Sequence, residues 1–488
     1  MQLIFERSVP GRRGVRVAER DVAASIHLNP SLLRETPPDL PELSELDVVR
    51  HFTALSRRNF SVDSHFYPLG SCTMKYNPKV AERIAGYPGF AHLHPLLPQL
   101  RMGGGLTQGA LQVMHDMDLL LREITGMAGF TMQPMAGAHG ELTGIMIMAA
   151  YHKARKNRKT TILIPDSAHG TNPASAAIAG YGVRTVPSDA SGCMDLGKLR
   201  EMLDDEVAGL MLTCPNTLGM FNPHVHEICD LIHSVDGVVY YDGANLNAIL
   251  GKARPGDLGF DIVHLNLHKS FATPHGGGGP GAGPVGVAER LLEFLPVSVV
   301  VKREDGTYAL EYDRPHSVGY IAPFYGNFGI VLRAYVYILM LGREGLERVA
   351  ENAVLNANYI LTKLKDVYDV VADVPCMHEC VLSAETLAKE HGVRALDIAK
   401  GLIDRGFHPP TVYFPLIVHE AMMVEPTETE SKETIDAFIE AMRELAELAQ
   451  NDPEALHSAP LTTPVGRLNE TKAARDLNIA YTPLCGCG

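Results

Sequence analysis

A chain of 488 residues, 46% hydrophobic and 20% charged, is long enough for two or three domains and has the make-up of an ordinary globular enzyme. Its formal net charge of −14 argues against nucleic acid and against an anionic membrane surface as partners. No apolar run reaches the roughly 18 residues of a spanning helix, because the nearest one, 330–341, is broken by Arg333.

The amino terminus, MQLIFERSVPGRRG, lacks the continuous apolar core of a signal peptide. The eight cysteines are scattered, as reduced thiols would be. Together these features predict a cytoplasmic protein, with Cys485 and Cys487 in a frayed tail. The strings HEICD at His226 and HEAMM at His419 open like zinc helices but lack the second histidine, so no metal site is expected.

In chain order, residues 1–105 are rich in proline and polar side chains and read as an arm with short helices. Within it, YPLGSCTMKYNP (67–78) is dense in turn formers and reads as a surface connection; wrapping a neighbour or closing over a substrate are the alternatives. Residues 106–330 carry the regular pattern of a large α/β domain. Apolar residues from Ala110 to Ile124 recur at steps of three and four, marking an amphipathic helix over 109–125. QPMAGAHGELTG (133–144) then leads into an apolar helix at 145–151. Small residues ahead of a helix leave backbone N–H groups free for a phosphate, which points to Gly137, Ala138 and His139.

Short strands and helices then alternate. Strands are expected at 161–164, 183–186 and 207–213, at the run ending in Asp242, at 261–267, and at a return strand near 285–287. Units of this length imply a mostly parallel sheet covered by helices on both faces. Ligands bind at the carboxyl edge of such sheets, and three side chains arrive there. Asp242 ends the run GVVYYDGAN; a buried carboxylate needs a positive partner, and a protonated pyridine nitrogen is one. Lys269 follows the next strand, just ahead of a loop whose four consecutive glycines, 276–279, can form an anion-binding nest. A lysine beside an anion nest suggests a phosphorylated carbonyl cofactor held as a Schiff base. His169, in DSAHGTNPAS, offers a flat ring able to stack on a pyridine.

Residues 331–488 form a smaller α/β domain with a tail. PHSVGYIAPFYGNFG (315–329) is turn-rich and suits a pocket wall, a subunit interface or plain core packing. A single long helix is expected over 342–365, and a last helix should start after a Ser431 cap and bury Ile435, Phe438, Ile439, Met442 and Leu445. FHPPTVYFP (407–415) is stiff enough to edge a substrate channel.

Six separated motifs, LGSCTMKYNP, PMAGAHGE, DSAHGTNPAS, YYDGAN, LNLHKSFATPHGGGGPGAGPVGV and VEPTETESK, together resemble the P-protein (glycine decarboxylase) family of the glycine cleavage system. The IFERSVPGRRG start is similar to the cofactor-bearing second chain of its two-chain form. The match runs from about Leu3 to Ala480; Cys380 stands where a bulky apolar residue is expected, and the CGCG tail is not a family feature. The resemblance implies a fold-type-I enzyme dependent on pyridoxal 5′-phosphate, which decarboxylates glycine and passes the aminomethyl group to the lipoyl arm of H-protein. It also implies a heterotetramer with a first subunit of similar fold. It assigns Lys269 as the Schiff-base lysine, Asp242 to the pyridine nitrogen, His169 to the ring face, and Gly137, Ala138 and His139 to the phosphate. Thr171, Ala244 and His268 line the pocket. Another pyridoxal-phosphate enzyme acting on a small amino acid, or a non-catalytic scaffold subunit, are the competing readings.

Overall fold

The computed structural model describes residues 2–19, 21, 28–36, 38–100, 103–189, 191–275, 281–371 and 374–479. The chain divides into two compact units, Met1–Ser64 and His65–Gly488. The first is built around the helix Glu45–Ser56, whose start is closed by a reciprocal Ser44 and Asp47 capping box.

The second unit is organised by a seven-stranded sheet. Its strands are β1 (Gly129–Thr131), β2 (Thr161–Pro165), β3 (Gly182–Val186), β4 (Val207–Thr213), β5 (Val238–Gly243), β6 (Ile262–Leu265) and β7 (Val285–Val287), in the order β1-β7-β6-β5-β4-β2-β3. Only β7 runs against the others. The alternation of side chains along β5 explains the two cores. Val239 and Tyr241 join the cluster on one face, while Val238 and Tyr240 join the cluster packed by the helix Gly137–Ala154. By the same alternation Thr213, Asp242 and His264, which are register neighbours on β4, β5 and β6, point to that second face. The sequence thus converts three separate strand signals into one cluster of polar side chains.

A hairpin, β8 (Val299–Lys302) with β9 (Tyr308–Glu311), follows the main sheet. A four-stranded antiparallel sheet comes last: β10 (Asp369–Val370), β11 (Cys380–Ser383), β12 (Thr411–Val412) and β13 (Ala421–Val424). The helix Lys432–Asn451 covers it, capped by Ser431 and burying Ile435, Phe438, Ile439, Met442 and Leu445 as the apolar spacing required.

Three local expectations need correction, and three strands had none. The strand over 261–267 stops at Leu265, and Lys269 lies on a single helical turn, Leu267–Ser270, because the Lys269 and Phe271 N–H groups fold back onto Asn266 and Leu267. The long helix starts earlier, at Phe328, and is interrupted at Gly342, whose φ of 62° lies outside helical space. The 67–78 stretch is not a surface connection. Leu69 bridges to Val424 of β13, the Gly70 N–H donates to the Met423 carbonyl, and Thr73 and Lys75 are fully buried. A side chain at Gly70 would meet Met423 at 2.3 Å, so this strap can lie against β13 only with glycine there. Finally, β1, β8 and β9 carry no strong pattern; β1 is three residues held by its antiparallel pairing to β7.

Candidate active site

A cavity of about 340 Å³ opens at the carboxyl edge of β4, β5 and β6. Its wall includes Gly137, Ala138, His169, Thr171, Asp242, Ala244, His268 and Lys269, so eight of the nine residues singled out from sequence meet there. His139 is the exception. Its ring folds back to accept the Met135 N–H through Nδ1 at 3.2 Å, leaving only its backbone near the helix start.

Asp242 is fully enclosed. Its Oδ1 accepts the Ala244 N–H at 3.2 Å, and Oδ2 accepts from Asn172 Nδ2 and Thr213 Oγ1, both at 3.3 Å. Burial opposes its charge, but His264, Lys269 and the Ala244 N–H outweigh burial and hold the carboxyl below its ordinary value. His264 is itself kept neutral, its pKa pulled down by burial to about 4. The Tyr240 hydroxyl meets its Nδ1, and its Nε2, buried without a hydrogen-bond partner, lies 3.5 Å from Asp242 Oδ1. The result is a buried anion that accepts from the Ala244 N–H, Asn172 and Thr213.

Lys269 is buried on its helical turn, next to His268, whose pKa burial depresses to about 3 and whose Nδ1 has no protein partner. The helix Gly137–Ala154 aims its first turn at the same cavity. A side chain at Gly137 would meet Asn266 Oδ1 at 2.5 Å, so the close approach of this helix start to the β6 end requires a bare backbone. The four glycines 276–279 lie outside the described residues. His169, half-buried beyond the end of β2, meets the Phe414 ring edge-on at 5.8 Å, which brings the 407–415 stretch to the rim.

Several residues in or beside the wall lie within or next to the sequence motifs but have no role assigned from the sequence. Glu141 sits one turn into the apolar helix, and Thr171 Oγ1 donates to its Oε1 at 2.8 Å. Ser71 and Cys72 enter on the strap. Glu379 and Glu425 flank the paired strands β11 and β13, where the Cys380–Val424 register sets them side by side. With His378 their ligand-capable atoms lie within 4.8 Å of one another, and burial raises the Glu379 carboxyl. The six described cysteines are free thiols.

A pyridoxal phosphate fits this donor set. The unpaired Asn266 Oδ1 and His268 Nδ1, the enclosed carboxylate, the bare helix start and the buried amine are polar groups that a phosphorylated, protonated pyridine would satisfy. The sheet order, with β7 alone reversed and a small antiparallel domain following, is that of the fold-type-I class of pyridoxal-phosphate enzymes. A solved glycine decarboxylase P-protein in inhibitor-bound form shares the fold at a TM-score of 0.70, 21% identity, over 85% of this chain and 93% of that one. Alanine–glyoxylate aminotransferase from Nostoc sp. does so at 0.56 and 15% identity, over 86% and 100%.

Residues 16–311 match the glycine cleavage system P-protein family model, and residues 349–459 match the glycine dehydrogenase C-terminal domain. The chain belongs to the glycine cleavage system P-protein family. It is similar to probable glycine dehydrogenase (decarboxylating) subunit 2 of Bacillus licheniformis, 56% identical over 98% of both chains. The protein of that name from Listeria innocua is 54% identical over 99% of this chain and 98% of its own. Among the described residues no helix is long and apolar enough to cross a membrane.

Proposed function

We propose that this chain is the cofactor-bearing subunit of a cytoplasmic glycine-decarboxylating P-protein, working with a first subunit in a heterotetramer and with lipoylated H-protein. Residues 106–330 form the cofactor-binding domain and 331–488 its smaller cover. The overall change balances simply: glycine's C–C bond breaks to release carbon dioxide, its electron pair forms a C–S bond to the lipoyl disulfide, and the departing sulfur takes up a proton. The observation that carries this reading is Asp242, a carboxylate held charged in a closed site that also contains Lys269.

Pyridoxal phosphate, when bound, supplies an electron sink for the pair left by the carboxylate. The chain's own residues prepare that chemistry. Lys269 Nζ is the amine that would hold the cofactor through its aldehyde. Asp242 would pair with the pyridine nitrogen and favour its protonated form, while the hydrogen bonds from Ala244, Asn172 and Thr213 hold Asp242 ionised. His169 would cover the ring face, and the first-turn N–H groups at Gly137, Ala138 and His139 would receive the phosphate. Thr171 and His268 fill the remaining wall. The strap residues Ser71 and Cys72, with Glu379, close the cavity from the side of the small domain and limit water.

The test is exchange of labelled carbon dioxide into glycine by the assembled subunits. Exchange that rises with lipoylated H-protein supports this function. Turnover of a different small amino acid, indifferent to H-protein, would replace it.

A further inference from the structure

Glu141 belongs to none of the groups already assigned, yet it ends an unbroken chain of hydrogen bonds that begins on His169. His169 Nδ1 lies 2.8 Å from Thr171 Oγ1, and Thr171 Oγ1 lies 2.8 Å from Glu141 Oε1. Ser175 Oγ donates over a longer 3.4 Å to Glu141 Oε2, and the Thr171 N–H donates to His169 Nδ1 at 3.4 Å, a weaker bond that favours the tautomer with Nδ1 bare. A threonine hydroxyl has one hydrogen to give, so its direction couples the two ends.

We propose that Glu141, acting through Thr171, is a positioning residue that sets which ring nitrogen of His169 carries the hydrogen. With Glu141 ionised, Thr171 donates to Oε1, and the 2.8 Å contact to Thr171 Oγ1 then calls for a hydrogen on His169 Nδ1, which gives up the longer bond from the Thr171 N–H and leaves Nε2 as a bare acceptor. When a proton arrives at Nε2, the Nδ1 hydrogen passes to Thr171 Oγ1 and the hydroxyl's own hydrogen passes to Glu141 Oε1. The imidazole ends neutral with its hydrogen on Nε2, the carboxylate has become a carboxylic acid, and one proton has been taken up. His169 can thus accept or return a proton at Nε2 without becoming a cation.

The surroundings favour this arrangement. Burial, with Lys269, lowers the His169 pKa against the pull of Asp242, which favours the neutral ring and makes its tautomer the open variable. Burial, then the neighbouring Asp242 carboxylate, push Glu141 up to about 7, with Thr171, Ser175 and Lys269 pulling the other way. The groups facing Glu141 are therefore Thr171 and Ser175 from the helix Thr171–Ile178, Asp242 and Tyr240 from β5, and Lys269 from its turn. None donates to it strongly enough to fix it as an anion, which a switching group requires.

The inference rests on His169 covering the cofactor, but its test does not need the cofactor. The chain labelled with [15N]histidine is titrated without cofactor between about pH 5.5 and 8.5, and the His169 signals are identified by their loss in His169→Asn. The expected result is a tautomer ratio that changes roughly tenfold or more, from hydrogen on Nε2 at low pH to hydrogen on Nδ1 at high pH. Glu141→Gln should hold the ratio constant, Thr171→Val should uncouple it, and Thr171→Ser should restore it. A ratio in Thr171→Val or Glu141→Gln that titrates as in the unaltered chain overturns the proposal. So does an unaltered chain that keeps one tautomer throughout. Absence of a borohydride label at Lys269 would instead count against the cofactor reading, leaving the titration as evidence on the relay alone.

Discussion

Asp242 and His264 stand in register on adjacent parallel strands, with His264 Nε2 3.5 Å from Asp242 Oδ1 and both side chains buried. The neutral imidazole supports the carboxylate's charge without cancelling it, which leaves Asp242 available to a cationic ring nitrogen. Asp242→Asn removes that pairing. A buried charge pair broken on one side loses about 3–5 kcal/mol, so glycine-dependent exchange should fall by roughly 10²-fold or more, while the borohydride label at Lys269 persists. His264→Phe, which removes a polar neighbour 3.5 Å from Asp242, should cost less, about 10-fold, the scale of a one-unit change in the carboxyl pKa. Equal, complete loss of label in both variants would show that they damage cofactor capture instead.

Lys75 gives a second, purely structural expectation. Its fully buried Nζ lies 2.6 Å from Glu428 Oε1 and 2.9 Å from Asn247 Oδ1, and it donates to the Ser270 carbonyl at 3.3 Å, bracing the turn that carries Lys269. Lys75→Met leaves Glu428 buried without its cation, and urea denaturation should show about 3–5 kcal/mol of lost stability. Stability within 1 kcal/mol of the unaltered chain, on the order of a surface salt bridge, would contradict the burial argument.

Glu141 makes stability depend on pH. Its folded pKa is raised from 4.5 to about 7, so between those values the folded chain holds a proton that the unfolded chain has released. Its contribution is therefore complete below 4.5 and is lost as pH rises through about 7. In the cofactor-free chain, Glu141→Gln should remove a loss on the order of 1–3 kcal/mol between pH 5 and pH 8. Parallel pH curves for the two proteins would refute this.

Gly137 tests the bare-backbone argument. Gly137→Val must displace Asn266, whose Oδ1 a Cβ would meet at 2.5 Å, at the mouth of the helix start. Overpacking of that kind costs about 1–3 kcal/mol, and cofactor affinity should weaken by about 10-fold or more in an absorbance titration. Unchanged affinity would move the phosphate elsewhere.

The sequence revealed the frame of this site better than its support. Asp242 and Lys269 stand out because each follows a short β-branched strand signal, and His169 because it sits in a turn between a strand and a helix; local pattern alone brings them to one sheet edge. Glu141 stands in a small-residue stretch read for its backbone N–H groups alone, and His264 is hidden inside an apolar strand pattern, where a single polar residue looks like noise. Glu379 and Glu425 lie far apart in the chain and meet only through the pairing of β11 with β13, which no local period encodes. The strap at 67–78 misled for a related reason: its turn-forming residues suggest exposure, yet glycine at position 70 allows it to lie flat against β13 and be buried.

Borohydride reduction of the chain saturated with pyridoxal phosphate, followed by mapping of the modified peptide, probes the core of this account. A visible absorption band that disappears on reduction, with a single pyridoxyl label on the peptide containing Lys269, is the expected result. A colourless saturated protein, or a label on Lys75 or any other amine, would contradict it.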